Sequence, residues 1–325
     1  MKQVIVTLLV SLVNFPVLAS EYPLTEAMSV PLQGVEGRID HLAADITGKR
    51  VFIAALGNNS IEVVDLASGT RTKSISGFSE PQGICYDPES DRLFIACGGD
   101  GNCKVLDGQT FKTIATIPLG EDADNVRYDS NSHRVFIGHG RGALAIFDAK
   151  TGARLDEIHL SGHPESFQIE TNGNHLFVNI PSMATVAEVD LTKKKVAETW
   201  VPRGTMNFPM ALDETNHRLF IGCRHPAKVL VYSTSSGKFI ADVDIGADAD
   251  DIFYDPFSKS LFVSCGSGSV DVIEQLGPDT YRKKRSKVCG TGARTSLFIP
   301  ELETLCVAVP HRNAQSAKLL VFRTR

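Results

Sequence analysis

The sequence predicts an all-β fold, a seven-bladed β-propeller with four-stranded antiparallel blades. Two observations predict it: a block of sequence recurs about every 42 residues, and each repeat contains four short β-rich runs. Each repeat carries one marker position, and the markers are Phe52, Phe94, Phe136, Phe177, Phe220, Phe262 and, in a degenerate seventh copy, Cys306. Four strands within one such period are the signature of a propeller blade.

The four runs are clearest in the second repeat, at residues 83–86, 93–97, 103–106 and 113–118, with turn residues between them. We call them strands a to d. The seventh repeat ends at strand c, residues 318–322, and residues 28–32 near the N-terminus resemble a strand d. We therefore expect the N-terminal strand to complete the last blade and close the ring.

An acidic residue stands seven positions before the marker, at the end of strand a, in six repeats. These residues are Asp45, Asp87, Asp129, Glu170, Asp213 and Asp255, with Ile299 in the seventh copy. An aspartate at a strand end binds backbone N–H groups of the following turn, so we expect this acid to shape the a-to-b turn. The marker and the aromatic residue before the acid should form the core between blades.

The N-terminus has the features of an export signal: Lys2, an apolar run at 4–13 and small residues around Ala19. We expect a signal peptide at 1–19, cleaved after residue 19 or 20, and a single propeller domain at 20–325. The apolar run is shorter than the roughly 20 residues that span a bilayer, so no membrane anchor is expected after cleavage. These features predict a periplasmic or secreted protein, which we expect to be a monomer.

Residues 51–70, with the sequence VFIAALGNNSIEVVDLASGT, resemble the YVTN-repeat β-propellers, often called YncE-like. Residues 176–179, Leu-Phe-Val-Asn, come closest to the four-letter motif itself. The resemblance extends over the chain after residue 20 and implies a binding or scaffold protein, although the fold hosts many activities. A single tryptophan, Trp200, argues against WD40 repeats and against quinoprotein dehydrogenases.

A ring of side chains is predicted at the top mouth of the central channel, the face that carries the d-to-a and b-to-c connections. The position five residues before the acid opens strand a, and strand a lines the channel. In chain order the ring is Asp40, Gln82, Asp124, Glu165, Phe208, Asp250 and Arg294, and the next positions add His41, Asn125 and Asp251. This set predicts a polar site for a ligand or an ion.

Two kinds of chemistry fit such a site. The carboxylates of Asp40, Asp124, Glu165 and Asp250 are candidate ligands of a divalent cation. Oxygen donors favour Ca²⁺ or Mg²⁺, whereas imidazole shifts the preference towards Zn²⁺ or Cu²⁺. The alternative is an enzyme, a lactonase-like hydrolase or a lyase, in which paired acids and His41 perform acid–base catalysis. A third interpretation is that these residues are polar only because they face solvent at the channel mouth, with no ligand site there.

Partners are expected to be a small-molecule ligand or a protein that binds the loop face. A formal net charge of -5 argues against nucleic-acid binding, which favours a strongly basic surface. The one basic run, at 282–287, falls on an expected outer strand d, where charge blocks edge-to-edge aggregation. The less favoured interpretation of this run is a patch for an anionic polymer.

Cysteine usage predicts one disulfide. Seven cysteines are present, and Cys97 and Cys103 flank a glycine-rich loop that should join two strands of one hairpin. Facing hairpin strands bring Cα atoms into disulfide range, and an exported protein meets oxidising conditions. We therefore expect a bond between Cys97 and Cys103.

Overall fold

The computed structural model describes residues 24–171 and 174–325, and these residues form seven four-stranded antiparallel sheets. The sheets are the blades of a β-propeller, so the predicted fold class is confirmed. The predicted signal peptide, 1–19, lies outside the described residues. Among the residues that are described, no helix is long and apolar enough to cross a membrane.

The strands follow one another in the order that the repeat predicts. The first strand is β1 (Thr25–Pro31). Blade one contains β2 (Leu42–Asp45), β3 (Arg50–Ala55), β4 (Ser60–Asp65) and β5 (Thr70–Ser76). Blade two contains β6 (Pro81–Asp87), β7 (Arg92–Cys97), β8 (Asn102–Asp107) and β9 (Thr113–Pro118). Blade three contains β10 (Val126–Asp129), β11 (Arg134–His139), β12 (Ala143–Asp148) and β13 (Arg154–His159).

The remaining blades repeat this pattern. Blade four contains β14 (Phe167–Ile169), β15 (His175–Ile180), β16 (Thr185–Asp190) and β17 (Lys195–Trp200). Blade five contains β18 (Thr205–Asp213), β19 (Arg218–His225), β20 (Ala227–Ser233) and β21 (Phe239–Asp244). Blade six contains β22 (Ala249–Asp255), β23 (Ser260–Cys265), β24 (Ser269–Gly277) and β25 (Thr280–Val288). Blade seven contains β26 (Thr295–Ile299), β27 (Thr304–Val309), β28 (Lys318–Arg323) and β1.

The ring is closed by β1, which is the outer strand of blade seven. It pairs antiparallel with β28, and Val30 lies opposite Leu319. Val30 and Leu32 are buried in the same apolar cluster as Val51 of blade one and Cys306 of blade seven. The N-terminal strand therefore joins the last blade to the first, as the sequence predicts.

The core consists of seven apolar clusters, one between each pair of neighbouring blades. Each marker of strand b belongs to a different cluster and packs against the following blade. The markers are at most 2% exposed. Phe52 meets Tyr86 of the next blade with ring centroids 5.7 Å apart, and Phe262 meets Phe298 at 5.3 Å. The expected inter-blade core is confirmed.

The acid at the end of strand a shapes the a-to-b turn. Asp255 accepts a hydrogen bond from the backbone N–H of Phe257 at 3.1 Å and one from the Ser258 hydroxyl at 2.7 Å. Asp129 binds the N–H of Asn131 in the same way, at 3.1 Å. The recurring acid is therefore a turn-forming residue, and the search for chemistry moves to the opposite end of strand a.

The basic run lies on β25, the outer strand of blade six, where most of its side chains are exposed. Lys283 donates to Asp271, a buried carboxylate on the neighbouring β24, at 2.8 Å. The position of the run on an outer strand is as predicted, and a charged outer strand protects this edge from pairing with other chains.

The expected Cys97–Cys103 disulfide is not formed, and all seven cysteines are buried free thiols. The pairing of β7 with β8 places Cys97 opposite Asn102 and Cys103 opposite Ala96. Neighbouring residues of a strand point to opposite faces of the sheet. Cys97 therefore packs between blades one and two, and Cys103 between blades two and three, with the sheet between them.

The closing strand can be tested with a matched pair of substitutions. Val30→Asp places a charge in the cluster that joins blades one and seven, and it should lower the free energy of unfolding by about 3–5 kcal/mol. Ser29→Asp adds the same charge at an exposed position of the same strand and should change it by less than about 0.5 kcal/mol. Chemical denaturation measures both values. Equal effects of the two variants would contradict the assignment of β1 as a structural clasp.

Candidate functional site

The top mouth of the channel contains a cavity of about 140 Å³. All seven residues of the predicted ring line it: Asp40, Gln82, Asp124, Glu165, Phe208, Asp250 and Arg294. Two of the added positions, His41 and Asn125, line it as well. Five further lining residues lie outside the predicted set: Arg38, Asp122, His163, Ser166 and Arg224. The cavity wall is thus made almost entirely of polar and charged side chains.

Backbone hydrogen bonds hold three of the ring residues in equivalent places. The N–H groups of Asp40, Asp124 and Glu165 donate to the carbonyls of Ala54, Gly138 and Asn179 at 2.7, 2.9 and 3.0 Å. Each bond continues the pairing of strand a with strand b towards the top face. The blades approach one another closely here, because a Cβ atom at Gly83 would lie 2.0 Å from the carbonyl oxygen of Asp124.

A second register, two positions before the ring, contributes residues of the d-to-a loops that the predicted ring does not include. Its members are Arg38, Glu80, Asp122, His163, Met206, Asp248 and Gly292. In five blades this residue has a positive φ, at Glu80, Asp122, Met206, Asp248 and Gly292. The left-handed conformation turns the chain from the loop into the inner strand. The signal in the sequence was the run of charged or titratable residues at this spacing.

One half of the cavity is occupied by ion pairs with arginine. Arg38 Nη2 lies 2.7 Å from Asp40 Oδ2, and Arg294 Nε lies 2.9 Å from Asp250 Oδ2. Arg224 Nη2 lies 2.6 Å from Asp250 Oδ1 and stacks over Phe208, with Cζ 3.9 Å from the ring centroid. Asp40 and Asp250, two of the four candidate metal ligands, are therefore already bound by cations.

The other half brings together Asp124, His163 and Glu165, whose ligand atoms all lie within 4.8 Å of one another. His163 Nδ1 lies 2.6 Å from the carbonyl oxygen of Gly140, which can only accept, so Nδ1 carries a proton. His163 Nε2 lies 3.8 Å from Asp124 Oδ2. Among the described residues, no arginine or lysine forms an ion pair with Asp124 or Glu165.

The crowding of charges shifts the pKa values of this group. Burial, together with the charge of Asp124, raises the pKa of Glu165 to about 8. Burial opposes the charged form of His163, but the nearby carboxylate of Asp124 and the hydrogen bond to Gly140 prevail and raise its pKa to about 9. At neutral pH Glu165 is a neutral acid beside an imidazolium. The Oδ1 atom of Asn125, a buried residue of the same cavity, has no hydrogen-bond partner.

Asp251 differs from its prediction, because it lies below the mouth in the channel. Its Oδ2 accepts a hydrogen bond from the N–H of Ser296 at 2.8 Å, and its Oδ1 lies 3.4 Å from His41 Nδ1. Burial opposes protonation of His41, but the charges of Asp251 and Asp40 raise the pKa of this imidazole to about 10. His41 is therefore a cation between two carboxylates.

Comparison with known proteins identifies the fold and no closer relationship. No family model and no curated protein matches the chain, whereas 1823 chains of solved structures do. A chain from hydrazine synthase of Kuenenia stuttgartiensis matches with a TM-score of 0.73 and 15% identity, over 85% of this chain and 95% of that chain. A chain from a mitotic checkpoint complex matches with a TM-score of 0.80 and 13% identity, over 99% and 98%.

At such identities the likeness concerns the fold alone, because one fold hosts many functions.

The shifted pKa of Glu165 predicts a pH-dependent instability. The folded chain holds a proton that the unfolded chain releases near its ordinary pKa of 4.5, so stability falls as the pH rises from 4.5 to about 8. Glu165→Gln removes this cost. In EDTA-treated protein it should raise the free energy of unfolding at about pH 8 by about 1–3 kcal/mol and leave it unchanged near pH 4.

Glu121→Gln is the control for this comparison, because Glu121 is an exposed carboxylate of the same face. Urea denaturation at both pH values gives, for each of the two variants, the change in the free energy of unfolding relative to the unsubstituted protein. A Glu165→Gln variant that shows the same stability gain at both pH values would contradict the raised pKa.

Proposed function

We propose that the protein is an exported binding propeller whose channel-mouth cavity binds a divalent metal ion through Asp124, His163 and Glu165. The observation that carries the proposal is the convergence of these three side chains within 4.8 Å on the side of the cavity that has no arginine partner. A cation there would take the place of the protons that Glu165 and His163 hold at neutral pH.

The donor set favours a transition metal over Ca²⁺ or Mg²⁺. His163 Nδ1–H is bound to the Gly140 carbonyl, which fixes the ring and leaves Nε2 as the donor that faces the carboxylates. Protein histidines that bind metals usually have such a second hydrogen bond. One nitrogen with two carboxylates suits Zn²⁺ and related ions, whereas Ca²⁺ prefers oxygen ligands alone. The unpartnered Oδ1 of Asn125 offers a further oxygen in the same cavity.

Metal binding can be measured by titration calorimetry of EDTA-treated protein with Zn²⁺, Mn²⁺ and Ca²⁺. Asp124→Asn and Glu165→Gln should each weaken Zn²⁺ binding by more than about 100-fold, which exceeds the cost of losing an outer-shell partner. Because Glu165 and His163 must lose protons, the affinity should fall by about tenfold or more per pH unit below about pH 8.

Glu121→Gln again serves as the control, and it should bind Zn²⁺ as the unsubstituted protein does. If no ion binds, or if the two site variants bind normally, the acidic mouth is only a wet surface and the loop face becomes the candidate for a protein partner.

Export is proposed from the N-terminal features, Lys2 and the apolar run at 4–13, together with the resemblance of the repeats to YVTN propellers. Expression of the full chain in a Gram-negative host should yield periplasmic protein that begins at residue 20 or 21. N-terminal sequencing of the purified protein checks this. Protein that keeps Met1, or that stays entirely in the cytoplasm, would rule out the export proposal.

A second candidate function is hydrolysis or elimination at the same cavity, and one observation favours it. The pKa of Glu165 lies near neutrality, because of burial and the charge of Asp124, and general acids and bases work best there. Screens with lactones and esters, with and without EDTA, separate the two functions. Turnover that persists in EDTA but is lost in the Glu165→Gln variant would support the enzymatic function.

A further inference from the structure

A second cavity, of about 340 Å³, lies along the channel below the mouth. It is lined by residues of the inner strands and meets the mouth cavity at His41 and Ser166, which line both. Its walls are partly apolar, with side chains that include Leu42, Ile84 and Phe253. Small-molecule sites in proteins combine this size and this kind of lining with a few convergent polar groups.

The charged residues along this cavity are not all paired with one another. Its titratable lining residues are His41, Cys85, Tyr86, Arg127, Tyr128 and Asp251. Burial raises the pKa of the Cys85 thiol and of both tyrosines, so these three are neutral. His41 and Arg127 are cations, and Asp251 is the one anion of the set. Asp251 is paired with His41, and this leaves Arg127 without a carboxylate partner among the lining residues.

Arg127 is the charged residue of this cavity whose hydrogen-bonding groups have few partners. Its Nη1 donates to the carbonyl oxygen of the preceding residue, Val126, at 3.0 Å, and its Cζ lies 5.6 Å from the ring centroid of Phe167. Within the described part of the chain, no carboxylate lies in ion-pair distance of this guanidinium. By contrast, Arg38, Arg224 and Arg294 at the mouth each hold an aspartate.

An arginine in a channel with so few partners is costly unless something completes its hydrogen bonds, since burial disfavours an unpaired charge. The guanidinium fork matches a carboxylate with two parallel bonds. We propose that the channel cavity binds a small carboxylate with an apolar body, whose carboxylate pairs with Arg127 while the body packs against the apolar wall. This site is distinct from the proposed metal site above it.

Benzoate and its neutral analogue benzamide are suitable probes for titration calorimetry. The full mature protein should bind benzoate, and benzamide should bind at least tenfold more weakly because it lacks the charge. Arg127→Met keeps the length and apolar character of the stem and should weaken benzoate binding by at least tenfold. Arg127→Lys keeps the charge and loses the guanidinium fork, so its benzoate affinity should lie between those of the unsubstituted protein and Arg127→Met. It also tests the proposal if the methionine variant folds poorly.

Arg141→Met is the matched control, because Arg141 lies on the top face with 94% of its side chain exposed. It should bind benzoate as the unsubstituted protein does. Equal affinities for benzoate and benzamide, unchanged binding by both Arg127 variants, or no benzoate binding at millimolar concentration would each overturn the proposal.

Discussion

The packing of one strand-b side chain against the following blade holds the ring together. A four-stranded sheet alone leaves two apolar faces in water, and each blade buries them only against its neighbours. The six phenylalanines and Cys306 repeat this contact in every interface, at positions that are almost fully buried. Because the contact is made by sheets and not by loops, the inner strands are held at fixed spacing, and the loops and strand ends are free to vary.

The site follows from this constraint. Three blades place their ring residue through the same backbone bond, and all seven ring residues line one small cavity, so side chains of different chemistry reach one small volume. Three arginines neutralise Asp40 and Asp250, and the pair Asp124 and Glu165 is left with an imidazole. A regular scaffold thus carries an asymmetric charge distribution, which is the property that a binding site needs and a structural repeat does not.

Much of the fold and of the cavity lining could be predicted from the sequence. In a repeat of fixed period, the position of a residue within its repeat tells where in the blade it lies. The marker spacing predicted seven blades, and counting back from the acid predicted the seven ring residues that line the cavity. The partners of those residues could not be predicted in this way. Whether Asp250 meets an arginine depends on the reach of Arg224 from a neighbouring blade, which a register does not encode.

Two expectations failed for a similar reason. The Cys97–Cys103 bond looked plausible from loop length, but the strand pairing is offset by one residue, and this offset sends the two thiols to opposite faces. Asp251 has the same position in its repeat as His41 and Asn125, which line the mouth. In blade six, however, the pairing of β22 with β23 shifts register between Ala249 and Asp251, and the Asp251 carboxylate binds the N–H of Ser296 below the mouth. A difference of one position along a strand decides which compartment a side chain enters.

The pairing of β1 with β28 has a mechanical consequence. Thr25, the first residue of the clasp, lies opposite Arg323, the last residue of β28, so the chain enters and leaves blade seven at the same end of one antiparallel pair. A tension applied between these two residues breaks the hydrogen bonds between β1 and β28 one after another, because both residues lie at the same end of the pair. It does not load all of these bonds together in shear. Global unfolding has to disrupt the whole core between the blades, whereas a pull between Thr25 and Arg323 has to break only one pair of bonded residues at a time.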